Sequence, residues 1–310
     1  MTSKQKHIPV MLNEVIEYLN PQDNCVYVDA TFGNGGYTSA ILEAANCKVI
    51  AIDRDPTVLT RANELKEIYK NRFEFKSGRF GNISELIETP VDGFVFDIGV
   101  SSMQLDDANR GFSFSKEAPL DMRMSLSGTS AADIVNNMEE KDLADLIYTY
   151  GEEKKSRQIA RKIVEHRKVK PIETTTELAE IIYTVIHKTF NQINPATRTF
   201  QALRIAVNEE LKELENALVS ATKLLNPQGR LVVVDFHSLE DRIVKKFFNE
   251  NSGKTGGVSR YMPQTNTQNK IIFQTVSKAI APTSDECEQN PRARSAKLRY
   301  AVKAKGENNV

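Results

Sequence analysis

The run Val26-Tyr27-Val28-Asp29-Ala30-Thr31-Phe32-Gly33-Asn34-Gly35-Gly36-Tyr37 constrains this chain more than any other. A β-branched stretch ends in an acid, a glycine-rich turn follows at once, and a helical pattern continues from Tyr37 to Ala45. Asp53, twenty residues after Gly33, closes a second apolar stretch, Lys48-Val49-Ile50-Ala51-Ile52. Strand, glycine turn, helix, strand and acid, in that order, open a doubly wound α/β sheet. In such a sheet a nucleotide-type cofactor lies at the carboxyl ends of the strands, and the second acid is placed to take a ribose hydroxyl pair.

The remaining strands are expected near 73–76, 93–98, 230–236, 271–276 and 296–302. Asp55-Pro56 reads as an N-cap followed by proline at the first helical position, opening a helix with Leu59, Ala62, Leu65 and Tyr69 on one face. Strands four and five lie about 130 residues apart, whereas a crossover needs roughly 30. Most of that interval has helical periodicity: Leu143, Leu146, Ile147 and Tyr150; then Ile159, Ile163 and Val164; then Leu178, Ile181, Ile182, Val185 and Ile186 behind a Thr174/Glu177 capping box. Val207, Leu211, Leu214, Leu218, Ala221 and Leu225 predict one long crossover helix, stopped by Asn226-Pro227-Gln228-Gly229. The expected fold is therefore α/β, with core segments 1–105 and 200–310 and an all-helical insertion over 106–199. An insertion after strand four leaves from the ligand-binding edge, which suits a lid or substrate-recognition module. Beyond strand five, a helix over 241–249 and a polar loop over 251–270 are expected.

Net charge is zero over 310 residues, so the chain as a whole carries no field that would gather nucleic acid. A local one exists from Asn290 to Lys305, where Arg292, Arg294, Lys297, Arg299, Lys303 and Lys305 occur without an acid. They read either as a phosphate-contacting surface or as a solvated strand edge. Cys25, Cys47 and Cys287 are odd in number and form no CxxC, so neither a disulfide framework nor a metal site is expected. No apolar leader or membrane-length run is present, and a soluble, cytoplasmic protein with no membrane partner is expected.

A dinucleotide would need a GxGxxG seat for its pyrophosphate. Here the turn is Gly33-Asn34-Gly35-Gly36, and Asp29 just before it is awkward beside a pyrophosphate. An acid there suits a cofactor with an ammonium group and no phosphate, such as S-adenosylmethionine. A nicotinamide-dependent dehydrogenase is correspondingly disfavoured. The alternative for Asp29 and Asp97 is that they only cap their strands.

Several ordered motifs resemble a single family. They are Asp29 to Gly36, Ala51-Ile52-Asp53-Arg54-Asp55-Pro56, Asp97-Ile98-Gly99-Val100-Ser101-Ser102, Arg110-Gly111-Phe112-Ser113-Phe114, Pro119-Leu120-Asp121-Met122-Arg123-Met124, Tyr150-Gly151-Glu152-Glu153, Ala196-Thr197-Arg198-Thr199-Phe200-Gln201-Ala202, Phe236-His237-Ser238-Leu239-Glu240-Asp241-Arg242 and Arg292-Ala293-Arg294-Ser295. The family is RsmH (MraW), the 16S rRNA cytosine-N4 methyltransferases, and the likeness is collinear from His7 to about Ala301. The resemblance implies a class I, Rossmann-like methyltransferase with an inserted helical domain. It implies S-adenosylmethionine as donor and a cytosine in the decoding region of small-subunit rRNA as acceptor, within an assembled or nearly assembled subunit. It leaves a homodimer open. It places the cofactor on Gly35, Gly36, Tyr37, Asp53, Phe80, Asp97 and Gln104, with Gly33 in the same turn. Tyr37 stands where many members have histidine, which argues against proton transfer at that position.

The cytosine N4 lone pair is delocalised into the ring, so an acceptor for the amino protons is needed to free it, with the methyl group in line about 3–3.5 Å away. Asp97, Ser101 and Ser102 at the end of strand four are the candidate acceptors. His237, after strand five, could relay the released proton, or could merely orient the helix start at Ser238 to Asp241. Attack at cytosine C5 would need a cysteine nucleophile just after strand four or five, and none is there. Phe112 and Phe114 beside Arg110 could stack on a splayed base or could pack the insertion. Arg198 and Arg204 could meet phosphate or be ordinary helix charges. A non-catalytic ribosome-assembly or RNA-binding factor with a cofactor-binding core is the competing function; the intact Gly35, Asp53 and Asp97 set argues against it.

Overall fold

The computed structural model describes residues 9–189, 194–253 and 271–306, the side chain of Ser102 excepted. It divides into two compact units, Met1–Gly99 with Leu211–Val310, and Val100–Glu210. The helical unit therefore extends further in both directions than the expected 106–199.

In the first unit, α1 (Leu12–Leu19) precedes β1 (Val26–Asp29), α2 (Gly36–Ala44), β2 (Lys48–Asp53), α3 (Leu59–Tyr69), β3 (Phe73–Ser77), α4 (Ile83–Leu86) and β4 (Val91–Asp97). In the second, α5 (Ser102–Asp106), α6 (Ala131–Asn137), α7 (Glu140–Gly151), α8 (Ser156–Arg167), α9 (Thr175–Tyr183) and α10 (Ala196–Asn208) follow. Then α11 (Glu210–Leu224) leads into β5 (Leu225–Asp235), α12 (Ser238–Asn251), β6 (Phe273–Val276), α13 (Ser284–Gln289) and β7 (Lys297–Lys303). The expected loop over 251–270 falls mostly outside the described residues.

The seven strands form one sheet in the order β3-β2-β1-β4-β5-β7-β6. Strands β1 to β5 are parallel, and β7 and β6 add antiparallel at one edge. The order reverses between β1 and β4, and the crevice at such a switch point is where open α/β sheets bind ligands. Burial on both faces explains the near-continuous apolar strands: Phe94, Val95 and Phe96 of β4 and Leu231 to Val234 of β5 are fully buried. The helical unit has its own core, built on Leu143, Ile147, Ile159, Ile163, Leu178, Ile182, Phe200 and Leu203.

Several boundaries differ from expectation. The single crossover helix is two, because Glu209 takes a left-handed backbone (φ 53°) and separates α10 from α11, leaving Val207 on the first. Asn226-Pro227-Gln228-Gly229 does not precede β5 but bulges within it, between the Val91–Leu225 and Gly93–Arg230 pairings, with Gln228 at φ 66°. Helix α9 stops at Tyr183, before Val185 and Ile186, while its Thr174/Glu177 capping box forms as expected.

Candidate active site

The carboxyl ends of β1, β2 and β4 carry the acids singled out in the sequence, and each has a different local task. Asp29 is fully buried and fully employed. Its carboxylate accepts from the Thr38 hydroxyl (2.7 Å), the Thr38 amide (3.1 Å) and the Thr31 amide (3.3 Å), fixing the glycine turn to the first turn of α2. Burial nevertheless pushes it up to about 6.

Asp53 spans the turn from the other side. One oxygen accepts from the Gly33 amide at 2.8 Å and the other from the Asp55 amide at 2.9 Å. Burial raises its pKa against these two hydrogen bonds. Each carboxylate oxygen has a second lone pair, so a hydroxyl pair can still be accepted.

Asp97 is the exception. Its amide donates to the Thr31 hydroxyl at 2.7 Å, but carboxyl oxygen Oδ1 is covered and has no hydrogen-bond partner among the described residues. Burial, then the neighbouring charges of Asp29 and Glu240, push this carboxyl up to about 8. A covered carboxyl oxygen without a donor is costly. It suits a ligand that brings an ammonium or amino N–H.

The glycines make the turn between β1 and α2. Gly33 (φ 50°) and Gly35 (φ 71°) hold left-handed backbone that other residues rarely adopt, and Gly35 is the N-cap of α2. A Cβ on Gly33 would meet only the Thr31 carbonyl oxygen, at an ordinary 3.9 Å, whereas one on Gly36 would fall 2.2 Å from Pro9 Cγ. The chain before α1 is thus laid against the turn. Tyr37 holds it there, its hydroxyl donating to the Val10 carbonyl. Buried, with its pKa raised well above the usual phenol by that burial, Tyr37 has no proton to exchange near neutrality. Phe80, at the start of a short turn after β3, is partly exposed and sets its ring edge-on to Phe96 at 6.1 Å.

These residues, Gly33, Gly35, Gly36, Tyr37, Asp53, Phe80 and Asp97, all belong to the sheet unit. Ser101, Ser102 and Gln104 belong to the helical unit. Ser101 and Gln104 cap α5 reciprocally: Ser101 Oγ accepts from the Gln104 amide (3.2 Å), and Gln104 Oε1 from the Ser101 amide (3.0 Å). The Ser-x-x-Gln spacing carried that signal in the sequence. The Ser102 side chain lies outside the described residues.

His237 proves to be the N-cap of α12. Its Nδ1 accepts from the Glu240 amide (3.4 Å), its Nε2 lies 3.1 Å from Glu240 Oε1, and Glu240 Oε2 accepts from the His237 and Phe236 amides. The Nδ1 side of the imidazole holds the helix start, while Nε2 is covered and makes no hydrogen bond to a described residue. The expected stacking pair is also occupied: Phe112 is buried in the helical core and Phe114 packs edge-on to Phe200 at 4.9 Å. Arg110 is buried, donating to the Arg123 and Met124 carbonyls. Arg204 forms a two-pronged pair with Glu210, while Arg198 lies 3.8 Å from Glu153. The basic stretch of β7 turns partly inward. Lys297 and Arg299 both donate to Asp241, and Lys303 donates to the Thr222 and Leu225 carbonyls. A phosphate surface there loses three of its six cations.

Residues 4–304 match the model of the MraW methylase family. The chain belongs to that family. A ribosomal RNA small subunit methyltransferase H from Paramagnetospirillum magneticum is 53% identical over 97% of this chain and 96% of its own. One from Rickettsia canadensis is 53% identical over 96% and 98%. One from Rhodospirillum rubrum is 51% identical over 96% and 94%. Among solved structures, an rRNA methylase from Streptococcus thermophilus aligns over 95% of this chain and 94% of its own at 12% identity, TM-score 0.41. The chain is thus a methyltransferase, and its sheet is the doubly wound, mainly parallel one expected of a class I enzyme. Among its described residues, no helix is long and apolar enough to cross a membrane.

Proposed function

We propose that the protein transfers a methyl group from S-adenosylmethionine to the exocyclic N4 amine of a cytosine in small-subunit rRNA. Membership of a methylase family supports the transfer, and near-full-length relatives named for small-subunit rRNA support the acceptor. The single observation that carries the site is the partnerless Asp97 Oδ1 at the switch point of the sheet.

The donor set fits this cofactor. Asp97 meets a cationic or amino N–H, Asp53 takes the ribose hydroxyls, Phe80 offers a ring face or edge to adenine, and Gly33 and Gly35 let the backbone come close. When bound, the cofactor supplies an electrophilic methyl group on a sulfonium. The protein's share is orientation: Thr31 fixes the Asp97 backbone, and Asp29 and Asp53 fix the turn from its two sides. An acceptor at the end of β4, Asp97 with Ser101 and Ser102 following it, draws the amino protons out of the cytosine plane and exposes the nitrogen lone pair. His237 acts as a positioning residue for α12.

Exocyclic nitrogen is favoured over ring carbon because none of the cysteines lies just after β4 or β5. Cys25 and Cys47 precede β1 and β2, and Cys287 is on α13. Three free thiols fit a reducing cytoplasm. The helical unit is assigned to recognition of rRNA in an assembled or nearly assembled subunit. The test is transfer of labelled methyl to small subunits from cells lacking the modification, followed by nucleoside analysis. N4-methylcytidine at one position is the expected product; 5-methylcytidine, or no transfer with cofactor bound, refutes the reading.

A further inference from the structure

Eight lysines and arginines fall between Lys154 and Lys170 against a single acid, Glu165. They lie on and around α8, whose opposite side is anchored by buried Ile159, Ala160 and Ile163. Half of them are already engaged: Lys155 donates to the Val185 carbonyl, Arg167 to the Val135 carbonyl, Lys162 to Glu165 and Lys170 to Glu177. Lys154, Arg157, Arg161 and Lys168 are exposed and make no hydrogen bond or ion pair with any described residue. At 100° per residue Arg157, Arg161 and Lys168 share an arc of about 40°, and at 1.5 Å rise they span about 16 Å. Just past the helix, Val169 is 89% exposed between two lysines.

A solvated helix face in a chain of zero net charge ordinarily mixes its signs. Here acids are concentrated on and just before α7 (Glu139, Glu140, Asp142, Asp145), while α8 carries one, Glu165, already hydrogen-bonded to Lys162. The engaged cations show that pairing was available nearby. Three cations in a row beside one acid, Glu165, whose charge Lys162 already takes up, and spaced over a few backbone phosphates, match a polyanion in charge and length.

We propose that the Arg157–Arg161–Lys168 face of α8 seats on the phosphate backbone of the rRNA acceptor, a proposal that rests on the rRNA reading above for the identity of that acceptor. It positions the RNA without reading its sequence.

The test is filter binding of the full-length protein to small ribosomal subunits and to protein-free small-subunit rRNA, across a potassium chloride series. Glutamine replaces the three cations, since it keeps helix propensity. R157Q/R161Q/K168Q should bind both RNAs roughly ten- to a hundredfold more weakly, and its log–log salt slope should be shallower by about two. S-adenosylmethionine affinity and kcat at saturating subunits should be unchanged, with KM raised. R161Q alone should move the slope by about one third as much, which guards against a folding artefact. K162Q/K170Q, in which both cations already have carboxylate partners, is the control.

An unchanged slope in the triple variant overturns the proposal. So does an equal loss in the control, which would reduce the effect to general charge. A loss confined to assembled subunits also overturns it, and points to a ribosomal-protein surface instead. Wild-type protein that shows the stripe effect but transfers no methyl group would refute the proposed function and leave the stripe standing.

Discussion

Asp53 Oδ2 accepts the Gly33 amide proton at 2.8 Å, so the acid at the end of β2 and the turn after β1 form one object. The residue that would hold the ribose also shapes the turn that would receive the rest of the cofactor. Asp53→Ala removes both at once. With two charge-assisted hydrogen bonds lost to the backbone and two to hydroxyls, cofactor affinity should fall roughly a hundredfold or more. Calorimetric titration with S-adenosylmethionine and with its demethylated product measures this. Binding reduced less than about fivefold would remove Asp53 from the site.

The raised pKa of Asp97 makes cofactor binding depend on pH in a defined direction. In the free protein the carboxyl holds its proton up to about pH 8, because of burial, Asp29 and Glu240. A cationic ammonium favours the ionised form, so binding expels that proton. Affinity should therefore rise with pH, by up to tenfold per unit below 8, and level off above it. Titrations from pH 6 to about 9 test this. Asp97→Asn should bind weakly at every pH and lose the dependence; a wild-type profile that is flat below 8 would contradict the assignment.

Much of this site could be read from the chain because its determinants are local. The β-branched runs, the acids that end them and the glycines between are contiguous, and the sheet places them as their spacing implies. What escaped notice depends on distant partners. Glu209 breaks the crossover helix without a glycine or proline, while the preceding Asn208 ties its side chain to the Met122 carbonyl and the Met124 amide. The Asn-Pro-Gln-Gly turn joins β5 only because β4 offers a pairing on each side of the bulge. The cations of β7 looked free because Asp241, which neutralises two of them, is more than fifty residues away in sequence. His237 was legible both as a proton relay and as the residue orienting the start of α12; its Nδ1 takes the second role.

The three glycines of the turn should not tolerate alanine equally. Gly33→Ala meets the left-handed backbone, worth about 1–2 kcal/mol, and beyond it only an ordinary contact of 3.9 Å to the Thr31 carbonyl oxygen. Gly35→Ala adds contacts of 2.7 Å to Leu65 Cδ1 and 2.8 Å to Phe32 Cε2. Gly36→Ala drives a methyl to 2.2 Å from the Pro9 ring and must lift the chain before α1 off the turn. Overpacking of this kind adds about 1–3 kcal/mol. Denaturant midpoints should place Gly33→Ala as the mildest of the three. If it is the most severe, the packing described around Gly35 and Gly36 is wrong.

Asp235, at the end of β5, gives a prediction about stability alone. It is fully buried, and neither carboxyl oxygen has a hydrogen-bond partner among the described residues. Burial, then Asp241 and Glu240, raise it to about 8, against the pull of Lys297 and Arg299. The folded protein therefore keeps this proton up to about pH 8, while the unfolded chain gives it up near pH 4. Between those values the native state binds more protons than the unfolded one, so this group makes stability fall as pH rises, by at most about 1.4 kcal/mol per unit. Above about pH 8 both states are ionised and the loss stops growing. An asparagine side chain at this position cannot titrate. Whatever the substitution costs at pH 5, Asp235→Asn should gain on the wild type steadily from pH 5 to 8 and then hold a constant difference. Thermal midpoints of the two proteins across that range are the measurement. Parallel curves would mean that Asp235 is ionised in the fold, with Lys297 and Arg299 outweighing its burial.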